Sequence, residues 1–80
     1  MTDNTYTPIS CELHSQYELA IMHKNTLLLQ WQDESGQHHE EKLTPLDVIT
    51  RNSAEYLKVL DHEGKENLIR LDRIHKMRIL

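Results

Sequence analysis

The chain has no phenylalanine and, in 80 residues, only one tryptophan, one cysteine, two glycines and two prolines. Each scarcity removes a class of explanation. Without phenylalanine, a thin core must be built from Leu, Ile, Val and Met. A domain of this length buries only about 60–65% of the surface its extended chain exposes, so little volume remains for a deep substrate pocket. One cysteine cannot close an intramolecular disulfide and fits a reducing compartment. Two glycines, both in polar clusters that read as turns, leave no phosphate-cradling loop and no nucleophile elbow. No apolar run, Leu27–Leu29 included, approaches the roughly 18–20 residues that span a bilayer. The opening MTDNTYTPIS lacks the charged and apolar blocks of a signal peptide. These features predict a cytoplasmic, non-membrane, single domain over residues 1–80, with residues 1–8 loose.

What is present is acid, unevenly spread. The formal net charge is −4. Residues 1–69 hold 12 acids against five bases, whereas residues 70–80 hold Arg70, Arg73, Lys76 and Arg78 against Asp72. An acidic body disfavours contact with phosphates and favours a basic partner, because long-range potential governs which molecules approach.

From Ser10 to His23 the residues favour helix, with Leu13, Tyr17, Ala20 and Ile21 on one stripe and Ser10 placed to cap it. Ser15–Glu18 has capping-box spacing and offers a later start. After Asn25 the period changes to two: Leu27, Leu29 and Trp31 alternate with Leu28, Gln30 and Gln32, as in a strand with one wetter face. Asp33-Glu34-Ser35-Gly36 reads as a hairpin turn and a second strand follows from near Gln37. Thr44-Pro45-Leu46-Asp47 could open a helical turn, but extended chain with a break near Pro45 fits the alternation better. Glu55–Asp61 reads as a third strand and His62-Glu63-Gly64-Lys65 as a second hairpin turn. A fourth strand over Glu66–Arg70, a tight turn at Leu71-Asp72-Arg73 and a last strand over Ile74–Leu80 complete the order. The fold class is mainly β (α+β): an N-terminal helix, then a strongly bent antiparallel sheet of about five strands, forming a small barrel that hides its edges.

Six histidines and a cysteine raise the question of metal or catalysis. Structural zinc needs four converging ligands, commonly two short-spaced pairs, and Cys11-x2-His14 is the one such pair. His38 and His39 are adjacent on a strand, so their side chains point to opposite faces. Cys11 and His14 share a helix face in principle, yet no second catalytic element accompanies them, and Cys11 is expected to act as a small apolar packing residue. No metal, cofactor or enzyme activity is therefore expected.

The motifs Tyr6-Thr7-Pro8-Ile9-Ser10-Cys11, Tyr17-Glu18-Leu19-Ala20, Arg51-Asn52-Ser53-Ala54-Glu55-Tyr56-Leu57 and Ile69-Arg70-Leu71-Asp72-Arg73-Ile74, in that order, resemble the Rho-binding antiterminator (Rof) family, small inhibitors of bacterial transcription termination factor Rho. The resemblance covers about residues 5–74. It implies an Sm-like fold and a protein that binds the N-terminal RNA-binding domain of Rho, blocks its primary RNA site and so inhibits Rho-dependent termination. It implies a monomer when free that makes no direct nucleic-acid contact. Carried over by position, the partner surface comprises Glu12, His14, Ser15, Gln16 and Glu18 on the helix and Arg51, Asn52 and Ser53 in the loop before the third strand. His14 and Ser15 stand where relatives can carry a tyrosine and an acid, and Leu13 replaces another acid. On this reading the helix presents carboxylates to a site built for phosphates. The alternative from a different class is an Sm-like RNA-binding module that uses Arg70, Arg73, Lys76 and Arg78.

Overall fold

The computed structural model describes residues 6–80. A helix, α1 (Cys11–Met22), precedes five strands: β1 (Leu27–Gln32), β2 (His38–Arg51), β3 (Ala54–Leu60), β4 (Glu66–Arg70) and β5 (Ile74–Ile79). A one-turn 3-10 helix, Leu71–Arg73, separates β4 from β5. All ladders are antiparallel and the strand order is β4-β3-β2-β1-β5.

The helix begins where the earlier of the two caps places it. The Ser10 hydroxyl accepts the Leu13 N–H at 3.1 Å, satisfying one of the amides that a helix start leaves unpaired. It ends at Lys24, whose φ of 55° is left-handed. Lys24 N–H donates to the Ile21 carbonyl and Asn25 N–H to that of Ala20, the two bonds of a Schellman motif. The predicted stripe faces inward: Tyr17 and Ala20 are buried, and Leu13 and Ile21 pack partly against the core.

The sheet bends because one 14-residue strand serves both halves of it. From His38 to Leu43, β2 pairs with β1; from Thr44 to Arg51 it pairs with β3. Between these stretches lies a bulge, where the register skips Leu46 between Pro45 and Asp47. Proline has no N–H to give a ladder, so the break falls where pairing is weakest, and a bulge sharpens the local twist. The chain stays extended there and the helical turn does not form. β4 and β5 are the two ends of the strand order and are not laddered to each other; the helix and the bent, barrel-like sheet of five antiparallel strands are the fold class expected from the sequence.

Both glycine turns are built alike. In each, an aspartate side chain gathers the loop amides: Asp33 accepts from Ser35 and Gln37, and Asp61 from Glu63 and Lys65. Gly36 and Gly64 occupy the left-handed position that closes the loop, at φ 88° and 83°. These bonds to the charged form hold both carboxyls below the usual carboxylate range; at Asp33 the Ser35 hydroxyl and His39 are the largest contributors, and at Asp61 the Lys65 amide.

The core forms on the inward side of the bend from Leu27, Leu29 and Trp31 of β1, Leu43 of β2, Leu57 and Val59 of β3, Ile69 and Leu71, closed by Tyr17 and Ala20 of the helix. Among the described residues, no helix is long and apolar enough to cross a membrane.

Candidate functional site

The two segments singled out for partner binding are the outer side of α1 and the hairpin turn between β2 and β3. Glu12, Ser15, Gln16 and Glu18 are exposed on the helix, and His14 is half-buried. Arg51, Asn52 and Ser53 are exposed at the turn. Arg51 pairs with Ala54, which makes Asn52-Ser53 a two-residue loop. Both its residues have positive φ, 51° and 64°, the pattern of a type I′ turn. Asparagine tolerates this conformation, whereas serine is held in it at a cost of order 1 kcal/mol.

One side chain joins the two segments. His14 places Nδ1 3.1 Å from Glu18 Oε1 on its own helix and Nε2 3.1 Å from Glu55 Oε2 on β3. Carboxylate oxygens only accept, so in each contact it is the ring nitrogen, where it carries a proton, that donates. Glu55 pairs with Thr50 and lies two residues beyond Ser53, so this contact ties the helix to the base of the turn. Glu55 also accepts a bond from the Tyr6 hydroxyl at 3.3 Å. Burial, reinforced by the Glu55 charge, pushes the Tyr6 phenol up to about 12.

The tether continues behind Tyr6. The Arg70 guanidinium lies 5.8 Å from the Tyr6 ring centroid and forks onto Asp72, with its Nε and one terminal nitrogen each 2.7 Å from a carboxylate oxygen. Asp72 also accepts the Thr7 N–H at 2.9 Å. Burial works against the Asp72 charge, but Arg70 and the Thr7 amide outweigh it and hold the carboxyl below its ordinary range. Of residues 1–8, expected to be loose, Tyr6 bonds to β3 and Thr7 to the 3-10 turn. The part of that expectation falling on residues 1–5 lies outside the described residues.

Sequence reasoning missed Glu55, Tyr6 and Asp72 as organising residues. A signal existed in Glu55, an acid just after a turn and at the start of a largely apolar strand. Cys11 is corrected outright: it is exposed rather than packed. It lies 200° around the helix from Leu13 at 100° per residue, so the stripe that turns inward turns Cys11 outward. His14 is committed to two carboxylates, not to the thiol. Among the described residues no three or more His, Cys, Asp or Glu side chains are grouped to hold a metal ion.

The basic C-terminal segment is divided. Arg70 is engaged by Asp72, and Arg73 donates to the Asp33 carbonyl at 3.2 Å. Lys76 and Arg78 are exposed on β5. Two of the four aromatic side chains are closed to stacking by a base: Tyr17 is fully buried, and Trp31 is 5% exposed with His39 stacked on it at 5.1 Å.

Two curated proteins are similar to the chain along most of its length. Protein rof of Escherichia coli K12 and protein rof of Shigella flexneri are each 35% identical over 72 residues, which is 90% of this chain and 80% of each relative. The chain belongs to the Rof family. No family model matches it. Among solved structures, the proteasome accessory factor B/C of Arthrobacter aurescens superposes with a TM-score of 0.76 at 18% identity, over 95% of this chain. The match spans 12% of that longer protein and shows the fold alone.

Proposed function

We propose that this chain binds the N-terminal RNA-binding domain of termination factor Rho, occupies its primary RNA site and thereby inhibits Rho-dependent termination. The family-level role is Rho-related antitermination, that of a regulatory protein and not of an enzyme. The observation that carries the finer reading is the His14–Glu55 contact, which holds the exposed carboxylate side of α1 and the Arg51–Ser53 turn as parts of one rigid unit.

On this reading Glu12 and Glu18 meet arginine or lysine groups that otherwise hold RNA phosphates. Glu12 sits in the first helical turn, where the helix dipole favours a negative charge. Charge-assisted bonds to a guanidinium are about twice as strong as neutral ones. Ser15 and Gln16 add short polar contacts. Asn52 and Ser53 are presented on a backbone that the β2–β3 ladder fixes in place.

The RNA-module reading has less support. Of the four bases it invokes, Arg70 and Arg73 make contacts within the chain, leaving Lys76 and Arg78 exposed on one strand.

The test is competition. Binding of Rho to a labelled C-rich RNA is measured with increasing amounts of this chain, at low and high salt. RNA affinity should fall as the chain is added, and the effect should weaken at high ionic strength as charge is screened. Unchanged RNA affinity at large excess would refute the reading.

A further inference from the structure

We propose that His38 and His75 form a two-imidazole site for a divalent transition-metal ion on the outer face of the sheet, a site separate from the partner surface. The two residues are 37 apart in sequence and lie on β2 and β5, the strands flanking β1. Their ring centroids are 5.8 Å apart, with planes tilted by 40°. An ion bonded to one nitrogen of each ring at about 2.0–2.1 Å in tetrahedral geometry sets the centroids about 5 Å apart. Small side-chain rotations of two exposed rings cover the difference.

The register explains why they meet. His38 pairs with Gln32 across the β1–β2 ladder. In the β1–β5 ladder Gln30 pairs with Lys76 and Trp31 with Ile74, so the bulge leaves His75 as the extra residue. That irregularity releases His75 from strict alternation and lets it lean over β1 toward His38. Gln30, His39 and Glu40 complete the shallow hollow around the pair.

Both rings are available. Among the described residues neither imidazole has a hydrogen-bond or ion-pair partner, whereas His14 and His39 are each held by carboxylates. Glu40 adds opposite charge to the hollow, though its carboxylate accepts from Gln30 at 2.5 Å and is not a third converging ligand. Lys76, opposite Gln30 on β5, adds like charge. Water would complete the coordination shell. Two imidazoles favour Cu2+, Ni2+ and Zn2+ over oxygen-seeking Mg2+ and Ca2+. An ion there would brace β5, an edge strand laddered to β1 alone, directly to β2.

The experiment is calorimetric titration of the full chain with CuCl2, NiCl2 and ZnCl2, with MgCl2 as a control. One ion should bind per chain, with Cu2+ tightest and Mg2+ silent, and binding should weaken at pH 5.5 as protons compete for the rings. Melting temperature should rise with ion concentration. His38→Asn and His75→Asn should each weaken binding at least tenfold and abolish the thermal shift, while the exposed-residue controls His23→Asn and His62→Asn keep both. Circular dichroism of the variants verifies that the fold survives. No binding by the parent chain at millimolar Ni2+ would overturn the proposal, as would parental affinity in both the His38 and His75 variants.

Discussion

Removing either end of the His14–Glu55 contact should loosen the helix from the β2–β3 turn, and a double-mutant cycle isolates that effect. His14 is 28% exposed and Glu55 32%, so solvent screens the pair and its coupling should be about 0.5–1 kcal/mol. In a domain of this size 1 kcal/mol moves the melting temperature by about 4–8 °C. His14→Ala, Glu55→Ala and the double variant are compared by urea unfolding and by affinity for the Rho RNA-binding domain. In stability, the double variant should fall short of the sum of the singles by the coupling energy. In binding, Glu55→Ala should weaken affinity about fivefold, close to 1 kcal/mol, although Glu55 is not itself in the proposed contact set. The double variant should then bind little worse than His14→Ala. Additive stability losses, together with unchanged binding by Glu55→Ala, would refute the idea that this pair aligns the two segments.

Three further outcomes follow from the same contacts. Ser53→Gly should raise stability by about 0.5–1 kcal/mol, because glycine takes the left-handed turn position without strain, while weakening Rho binding if the serine side chain is a contact; a lower urea midpoint would contradict the turn assignment. Tyr17 is fully buried, and its hydroxyl has no hydrogen-bond partner among the described residues. Burial pushes that phenol up to about 12. Tyr17→Phe should therefore be neutral or stabilising by about 1 kcal/mol, and a clear loss in urea unfolding would reveal a partner for the hydroxyl. Asp33, Asp61 and Asp72 all have carboxyls lowered in the folded state, so the unfolded chain binds more protons in acid. Their contribution is present above the unfolded carboxylate value of about 3.9 and is lost as pH falls through the lower folded values. Melting temperature should drop between pH 5 and pH 2.5. Asp72→Asn, which removes the carboxylate charge that Arg70 forks onto, should cost about 1.5–3 kcal/mol at neutral pH and make that drop shallower; an unchanged pH profile would show that Asp72 is not one of its sources.

Much of the architecture is written in short-range pattern. The Ser10 cap, the Leu13–Ile21 stripe, the period-two run in β1, the Asp-x-x-Gly turns and the proline break all concern residues within a few positions of one another, where local sterics and amide satisfaction decide the outcome. Family membership is legible for the same reason, since it rests on motifs in order. Within the candidate site, the exposure of Glu12 and Glu18 was readable from amphipathicity, whereas the loop at Arg51–Ser53 was indicated only by the family motifs. The site's organisation was not readable.

The sequence by itself settled the order of elements, the acidic character of the body and which helix face turns inward. Tertiary structure alone decided that Glu55 receives both His14 and Tyr6, that Asp72 fastens Thr7 from 65 residues away and that His38 meets His75. Each depends on how the fold brings segments distant in sequence into register. A helix or strand period specifies which side of an element is apolar, but not which distant side chain stands opposite a polar one. That choice is made only when β2 bends and brings both halves of the sheet around a single core.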